Sequence, residues 1–378
     1  MIHDFPLWFL PATILPSLTI SFVIGFAVRY WAPRWGLVDH PAERKVHVTP
    51  TPMGGGLAIW IAVILPLGLG QAMVALLHSG LIPVGWLPEF IAVHLAGLHY
   101  RSGSLWWLLT AATILMLVGL VDDRWGLGWK PRLAIQTLIA VACVVWQGWR
   151  LTLFLDVPML TWTLSVIWIV GLINSFNMLD NMDGLSSGIA AIASAFLAAV
   201  LLTTPTSNAA GPQLFIGGFL LVLVGALLGF LWHNRPVARL FMGDAGSYFV
   251  GFCVAVCTLT ATYADYGGQA QHAVLAPLVV MAVPLYDTVT VIWIRIRQGR
   301  SPFHPDKNHF SHRLVQLGLT KGQAVLTIYL TTVTCGLGAL LLRQVDALGA
   351  GIILLIVLCI LALIAILEAT SRRRSPDS

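Results

Sequence analysis

Acidic side chains follow the apolar segments of this 378-residue chain at several points. Asp122 and Asp123 come directly after a long apolar run, where two adjacent carboxylates repel each other unless a cation or a proton intervenes. A solvated helix end, with Arg124 as the partner, is the plainer interpretation, and the pair by itself slightly favours it. The pair therefore leaves an ion-binding site and an ordinary helix end as alternatives.

A second segment has an oxygen-bearing side chain at every third position, at Asn174, Asn177, Asp180 and Asp183, and ends at Gly184. On a helix this spacing predicts one slowly winding stripe. Carboxylate and amide oxygens in such a stripe suit a hard cation such as Mg²⁺. A capped helix end accounts for one or two of these residues but not for all four, so the segment favours a cation site.

Two glycine-containing segments have the composition of phosphate-binding turns. Residues 241–247, Phe-Met-Gly-Asp-Ala-Gly-Ser, precede an apolar run, where helix N-terminal amides attract phosphate and Asp244 would reach it through a metal. An N-capping Asp244 explains the motif equally well. Gly54, Gly55 and Gly56 end a loop that carries Lys45, which predicts either an anion site or contact with anionic lipid headgroups.

The longest polar loop, 295–322, is rich in cations. It contains Arg300, His309, His312 and Arg313, and because no third ligand accompanies the two histidines, a phosphate site fits better than zinc. Asp287 precedes this loop within an apolar segment. That position indicates either a functional carboxylate or the counter-ion of a nearby arginine.

The elements that position these motifs must lie in lipid. Hydrophobic residues make up 58% of the chain and charged residues 10%, with a mean hydropathy of +0.85, against roughly 25% charged residues in a soluble domain. Long apolar runs predict an all-α, polytopic integral membrane protein. We predict eleven spans, near 7–28, 57–77, 104–121, 133–149, 159–174, 185–203, 213–232, 246–263, 272–294, 323–342 and 347–368.

The distribution of Lys and Arg predicts the orientation. With the N-terminus outside and the C-terminus cytoplasmic, 18 of the 21 basic side chains lie inside and three outside. Residues 78–104 include an apolar stretch, but it contains Pro83, Pro88 and Glu89, so we interpret it as an outside loop or an interfacial helix. All the motifs above then face the cytoplasm.

In this order, the double Asp, the N-x-x-N-x-x-D-x-x-D-G run and F-M-G-D-A-G-S resemble the polyprenyl-phosphate N-acetylhexosamine-1-phosphate transferases, over about residues 36–323. The loop GRSPFHPDKNHFSH resembles the WecA and TarO branch, which uses UDP-N-acetylglucosamine or a similar UDP-hexosamine. The branch that uses UDP-N-acetylmuramoyl-pentapeptide has three adjacent histidines there. Ser311 interrupts that pattern here.

The resemblance implies a single transmembrane transferase domain over 1–378, with its active site in cytoplasmic loops 29–56, 122–132, 174–184, 233–245 and 295–322. It implies that Asp244 and Asn177 bind Mg²⁺, with Mn²⁺ as a substitute. Asp122 or Asp123 would take the proton of the lipid phosphate or hold that phosphate, and His309 and His312 would act at the pyrophosphate. The implied substrate-binding residues are Asp180, Asp183 and Phe241 (the last two at the uracil), Lys45, Lys130, Arg132, Arg300 and Arg313.

The implied reaction moves a sugar 1-phosphate, N-acetylglucosamine 1-phosphate first among the choices, from a UDP-sugar to undecaprenyl phosphate in the inner membrane. UMP leaves, and the product is the first lipid-linked intermediate of a cell-envelope polysaccharide. The partners implied are the UDP-sugar, the polyprenyl phosphate and the bilayer, without nucleic acid and with a homodimer left open. Direct attack and an aspartyl-phosphate route both remain possible.

Two other functions are weighed against this one. A phospho-N-acetylmuramoyl-pentapeptide transferase of peptidoglycan synthesis is the nearer alternative. An ion-coupled transporter also has membrane carboxylates, but it would place them near the midplane, between related halves of the chain. Here the carboxylates cluster on one side and no matched halves are visible, which disfavours the transporter.

Overall fold

The computed structural model describes residues 6–40, 49–151, 157–203, 213–261, 263, 271–303 and 306–374. These residues are mostly helical, and their strands are two short antiparallel ones, β1 (Val38–Asp39) and β2 (Thr51–Pro52). The α-helices are α1 (Phe9–Trp31), α2 (Gly55–His78), α3 (Glu89–Ala92), α4 (Leu95–Tyr100), α5 (Ser102–Trp125), α6 (Trp129–Gln147), α7 (Pro158–Leu179), α8 (Leu185–Thr203), α9 (Leu214–Asn234), α10 (Gly243–Thr260), α11 (Ala276–Val280), α12 (Ala282–Arg297), α13 (Phe310–Gln316), α14 (Lys321–Leu341) and α15 (Ala347–Arg374).

Nine helices in the described residues are long and apolar enough to cross a bilayer. A tenth span results if the bent pair Gln271–Val280 and Ala282–Arg297, with an angle of 61° between its halves, is counted as one. The remaining predicted span lies in α6, which is helical but less apolar than the nine because its first turn contains Lys130 and Arg132. The all-α, polytopic membrane fold is thereby confirmed.

The connection between α2 and α5 forms only short helices. Neither α3, with four residues, nor α4, with six, approaches the roughly 20 residues that a spanning helix needs. The described residues of 78–104 therefore form no helix long enough to span a bilayer, in agreement with the predicted outside loop or interfacial helix. Because α2 and α5 then form consecutive spans, the beginning of α2 and the end of α5 lie at the same end of the bundle.

The centre of the bundle is α10, whose residues from Ala245 to Leu259 are all buried. Two glycines allow neighbouring helices to approach its first turn very closely. A Cβ on Gly56 of α2 would lie 2.3 Å from the amide nitrogen of Gly246, and a Cβ on Gly119 of α5 would lie 2.4 Å from the carbonyl group of Asp244. Backbone contact of this kind is possible only with small residues. It brings α2 and α5 directly against the beginning of α10.

Candidate active site

A cavity of about 970 Å³ opens at the end of the bundle where α5 and α7 end and where α10 and α14 begin. All five predicted active-site loops contribute to its wall. The wall includes Asp39, Asp122, Asp123, Asp180, Asp183, Phe241, Asp244, Asp306, Lys307, His312 and Lys321. The volume is at the upper end of the range for small-molecule sites, roughly 300–1,000 Å³. The cavity is therefore large enough for a nucleotide-sized ligand.

Asp122 is a buried carboxylate with donors on both oxygens. Its Oδ1 accepts the amide of Leu127 at 2.6 Å. Its Oδ2 accepts Nη1 of Arg132 at 2.7 Å and the hydroxyl of Tyr248 at 3.0 Å. Gly126 ends α5 with a φ of 69°, which turns the chain so that Leu127 faces Asp122. Asp122 thus forms a fixed ion pair with Arg132. In the described part of the chain it forms none with the neighbouring Arg124, which the sequence had suggested as its partner.

Asp123 binds the beginning of α10. Its two oxygens accept the amides of Asp244 at 2.8 Å and Ala245 at 3.2 Å. The prediction that these helix N-terminal amides bind a substrate phosphate is therefore wrong, because a carboxylate of the chain already occupies them. The interpretation of Asp244 as an N-cap is also wrong, since the N-cap position is Met242 and makes no side-chain bond.

Asp244 is held at the cavity wall by two other helices. Its Oδ1 accepts Nδ2 of Asn177 at 2.5 Å, and its Oδ2 lies 3.4 Å from Nη1 of Arg132. Asn177 also donates to Ser247 at 3.0 Å. Asn177 therefore directs its amide nitrogen at Asp244, and this contact holds the Asp244 carboxylate in place.

The glycines 54–56 bind backbone instead of an anion. The amide of Gly55 donates to the carbonyl of Phe241 at 2.9 Å, and that of Gly56 donates to Met242 at 3.0 Å. The amide of Phe241 donates in turn to Pro52 of β2 at 2.9 Å. The prediction of an anion site at these glycines is therefore wrong, because the amides of Gly55 and Gly56 already donate to backbone carbonyls. Their contacts fix the segment that presents the half-buried Phe241 side chain to the cavity.

The predicted stripe at 174–183 does not form on one helix. Helix α7 ends at Leu179, and residues 180–184 make the turn into α8. Asn174 donates to Gln136 at 2.7 Å and does not line the cavity, whereas Asp180 and Asp183 do. Asp183 accepts the amide of Ala238 at 3.0 Å and so also fixes the loop before Phe241.

Asp180 is the carboxyl of this turn that is most affected by its surroundings. Burial and the nearby charge of Asp123 raise its pKa to about 7, while the amide of Gly243 opposes that rise. A carboxyl in this environment is relieved by a proton or by a bound cation. The cavity thus has a strongly acidic wall.

Cationic and imidazole groups also line the cavity, at Lys307, His312 and Lys321. Burial and the adjacent His309 and Lys307 lower the pKa of His312 to about 4, so this imidazole is neutral near pH 7. The side chain of Asp306 is largely covered, but bonds from Arg295 and Asn308 hold its pKa at about 2. Its ion pair with Arg295, at 3.0 Å, fixes the loop that carries Lys307.

The other predicted residues lie outside the cavity wall. His309 is buried behind His312 and bonds to Asp287. Arg313 is buried and pairs with Glu368 of α15 at 2.9 Å, while Lys130 and Arg300 are exposed. Arg132 and Asn177 contact the wall from behind through Asp122 and Asp244. Lys45 lies outside the described residues.

The acidic wall of the cavity has the donor atoms of a magnesium site. Carboxylate oxygens are the donors that Mg²⁺ prefers, and Asp244 presents one to the cavity close to Asp123. Among the described residues, no three acidic, histidine or cysteine side chains are grouped closely enough to bind a metal by themselves. Mg²⁺ usually binds one or two carboxylates and completes its shell with water and substrate phosphates. The residues fit that kind of site.

Two groups of contributing residues were not predicted. Tyr248 lies four residues after Asp244, one helical turn further along α10, and this spacing was the available signal. Lys307 stands in the cationic loop beside residues that were chosen, and Lys321 begins α14. Which cation of a basic loop faces inward depends on tertiary contacts such as Arg295–Asp306, which the sequence does not display.

Comparison with known proteins gives consistent results. Residues 105–262 match the family described as glycosyl transferase family 4. The chain is 34% identical to a decaprenyl-phosphate N-acetylglucosaminephosphotransferase of Mycolicibacterium smegmatis, over 96% of this chain and 89% of that protein. It is 30% identical to a probable undecaprenyl-phosphate N-acetylglucosaminyl 1-phosphate transferase of Bacillus subtilis, over 87% and 83%. An Escherichia coli undecaprenyl-phosphate alpha-N-acetylglucosaminyl 1-phosphate transferase is 27% identical, over 81% and 76%.

Proposed function

Because the chain belongs to glycosyl transferase family 4, among the polyprenyl-phosphate N-acetylhexosamine-1-phosphate transferases, we propose that it transfers N-acetylglucosamine 1-phosphate from UDP-N-acetylglucosamine to a polyprenyl phosphate. The observation that carries this proposal is the convergence of Asp122, Asp123, Asp180 and Asp244 on one cavity that Lys307 and Lys321 also line. The cations suit the diphosphate of the donor, and the acidic wall suits a divalent cation.

The proposed location of the reaction is the cytoplasmic face of the inner membrane. The cavity lies at the bundle end where the basic residues are concentrated, and 18 of 21 basic side chains fall on that side when the N-terminus is outside. A nucleotide sugar arrives from the cytoplasm, whereas a polyprenyl phosphate arrives through the bilayer. A site at the ends of spanning helices is accessible to both substrates, the nucleotide sugar and the lipid phosphate.

Each part of the donor has a matching part of the cavity. The half-buried ring of Phe241 and the carboxylate of Asp183 line the wall together, and we assign them to the uracil. Lys307, Lys321 and the neutral imidazole of His312 are placed to bind the diphosphate and the sugar. Nη1 of Arg132 bridges Asp122 and Asp244 from behind the wall and holds both carboxylates in place.

Asp244 would hold Mg²⁺ or Mn²⁺, with Asn177 fixing the carboxylate. The cation, when bound, neutralises the phosphate charge that builds up during transfer. Asp123 is half-exposed at the cavity, whereas Asp122 is buried against Arg132 and Tyr248. Asp123 is therefore the carboxylate that the lipid phosphate can reach, and we assign it the role of accepting that proton.

In the proposed reaction an oxygen of the lipid phosphate attacks the phosphorus that carries the sugar. A new P–O bond forms there, the bond from this phosphorus to the UMP oxygen breaks, and the electron pair leaves with UMP. The products are UMP and a polyprenyl-diphospho-N-acetylglucosamine. Positioning and charge neutralisation supply most of the catalysis in reactions of this kind.

The test is a choice of donor. The purified protein is offered undecaprenyl phosphate with Mg²⁺ and either UDP-N-acetylglucosamine or UDP-N-acetylmuramoyl-pentapeptide, and UMP release is measured. We expect release with the first donor only. Preference for the pentapeptide donor would replace the proposed substrate, and no release with either would support the transporter.

A matched pair of variants locates the reaction in this cavity. Asp244→Asn removes the charge of a cavity carboxylate and should abolish UMP release. Asp346→Asn changes an exposed carboxylate that bonds to the amide of Gly349, before α15, and should leave UMP release near the wild-type level. Equal activity of the two variants would exclude Asp244 from the site.

A further inference from the structure

Asp287 is a fully buried carboxylate of α12 that does not line the cavity. Its Oδ2 lies 2.9 Å from Nδ1 of His309, and its Oδ1 accepts the amide of Phe310 at 2.5 Å. It makes no ion pair with an arginine among the described residues, so the sequence-based interpretation as an arginine counter-ion does not hold. One carboxylate thus holds both the ring of His309 and the first residue of α13.

The bond to Asp287 determines which nitrogen of His309 carries hydrogen. An ionised carboxylate only accepts hydrogen bonds, so Nδ1 must be the donor. This fixes the tautomer and the rotation of the ring, and it leaves Nε2 as the nitrogen available to a ligand. Within the described part of the chain, Nε2 has no hydrogen-bond partner.

His309 lies directly behind the cationic side of the cavity. Its ring centroid is 6.3 Å from that of His312, which lines the cavity, and the two planes are inclined at 59°. His309 is almost completely buried, with only 6% of its surface exposed. The pair Asp287–His309 therefore extends from the interior of the bundle to the groups that face a bound diphosphate.

We propose that Asp287 is a positioning residue that acts through His309, fixing the tautomer and the rotation of the imidazole that supports His312 at the diphosphate of the nucleotide sugar. The inference rests on the proposed function, because that function places a diphosphate at His312. Asp287 itself touches no substrate. Its effect on catalysis passes through the orientation and tautomer of one ring.

A purely structural role for Asp287 makes a different prediction. The bond to Phe310 anchors α13, so loss of the carboxylate could loosen the whole loop 306–316 whether or not His309 is present. If Asp287 acts through His309, its replacement matters only while His309 is there. A double-mutant cycle separates the two roles.

The experiment measures kcat and KM for UMP release by the wild type, Asp287→Asn, His309→Gln and the double variant, all as full-length protein. Asn keeps the shape of Asp but offers an amide that can donate to Nδ1, which reverses the tautomer of the ring. We expect Asp287→Asn to lower kcat about 100-fold, the cost of misplacing a positioned group by about 1 Å, with KM changed much less. In the His309→Gln background the same substitution should lower kcat less than about threefold.

A neighbouring substitution serves as the control for loosening of α12. Thr288 donates to Ser175 of α7 at 2.8 Å, and Thr288→Val removes that contact without reaching His309. We expect it to act equally in both backgrounds. If Asp287→Asn does not yield folded protein, Asp287→Glu, which keeps the charge but displaces it, enters the same cycle.

The outcomes distinguish the inference from the function on which it rests. UMP release by the wild type, together with a loss from Asp287→Asn that is equally large with and without His309, would overturn the role of Asp287 and leave the proposed function intact. A wild type that releases no UMP would overturn the proposed function itself. Near-wild-type kcat for Asp287→Asn would also overturn the positioning role.

Discussion

Gly119→Ala is the substitution that most directly perturbs the placement of the acidic wall. A Cβ at position 119 would lie 2.4 Å from the backbone carbon and oxygen of Asp244 and from the amide nitrogen of Ala245. Ordinary contacts between such atoms are about 3.5 Å, so α5 and the beginning of α10 must separate by about 1 Å. The three atoms nearest to this Cβ all belong to the backbone, so a side-chain rotation cannot relieve the contact.

The cost of this separation follows from the contacts of Asp123. That carboxylate lies one helical turn after Gly119 and bonds to the amides of Asp244 and Ala245 at 2.8 and 3.2 Å. Moving the helices apart by about 1 Å stretches both bonds beyond hydrogen-bonding range. Misplacement of catalytic groups by about 1 Å costs about 100-fold in rate, and overpacking of this kind costs about 1–3 kcal/mol of stability.

The assay is UMP release from UDP-N-acetylglucosamine by purified Gly119→Ala, with its melting temperature measured in the same detergent. We expect kcat/KM to fall about 100-fold while the protein remains folded. Gly171→Ala is the matched control, because Gly171 lies within α7 and a Cβ there meets no atom within 4 Å. That variant should keep wild-type activity. Gly119→Ala within threefold of the wild type would refute the argument that this backbone contact positions the site.

Three further predictions concern the carboxylates. Because the pKa of Asp180 is raised to about 7 in the folded protein, the folded state binds more protons than the unfolded state between about pH 4 and 7, so stability falls as pH rises through that window. Asp180→Asn removes this loss, so in EDTA the gain in melting temperature from the substitution should grow from pH 5.5 to 8. A gain that stays constant with pH would contradict this. The proposed direct attack by the lipid phosphate forms no covalent intermediate on a carboxylate, so labelled UMP should not exchange into UDP-N-acetylglucosamine without lipid phosphate; such exchange would indicate an aspartyl-phosphate route. Asp306→Asn leaves the buried Arg295 without its counter-ion and should destabilise the protein by about 3–5 kcal/mol, seen as a lower melting temperature, whereas the exposed Asp346→Asn should not.

The helices could be predicted because lipid imposes a simple requirement on the chain. Each apolar run must form a helix to satisfy its backbone, and all eleven predicted segments lie in helices or in the bent pair. The end of α7 was harder to place, because Asn177 and Asp180 continue the same polar spacing on both sides of Leu179. That spacing does not reveal where a helix gives way to a turn.

The acidic wall of the site was largely predictable, whereas its supports were not. Asp122, Asp123, Asp180, Asp183 and Asp244 stand out because a carboxylate at a membrane boundary is costly unless it has a function. Their partners are distant in sequence: Asp123 bonds to an amide 121 positions further along the chain. Only the folded arrangement shows that Asp123 caps α10.

The cationic side was predicted least well, for the same reason. Arg300 and Arg313 belong to one basic loop, yet the first is exposed and the second pairs with Glu368 of α15. Long cationic side chains are directed by whichever carboxylate they meet. Asp287 was recognised as a candidate from its buried position, but its partner, His309, became evident only from the structure.

The most direct test of the proposed transfer is to follow the β-phosphate of the donor. Purified protein is given UDP-N-acetylglucosamine labelled with ³²P at the β-phosphate, together with undecaprenyl phosphate and Mg²⁺, and the label is traced while UMP is measured. Transfer of the sugar with its phosphate predicts one label in the lipid fraction for each UMP released. Label that remains in UDP, or that appears as free sugar phosphate or inorganic phosphate, would contradict it.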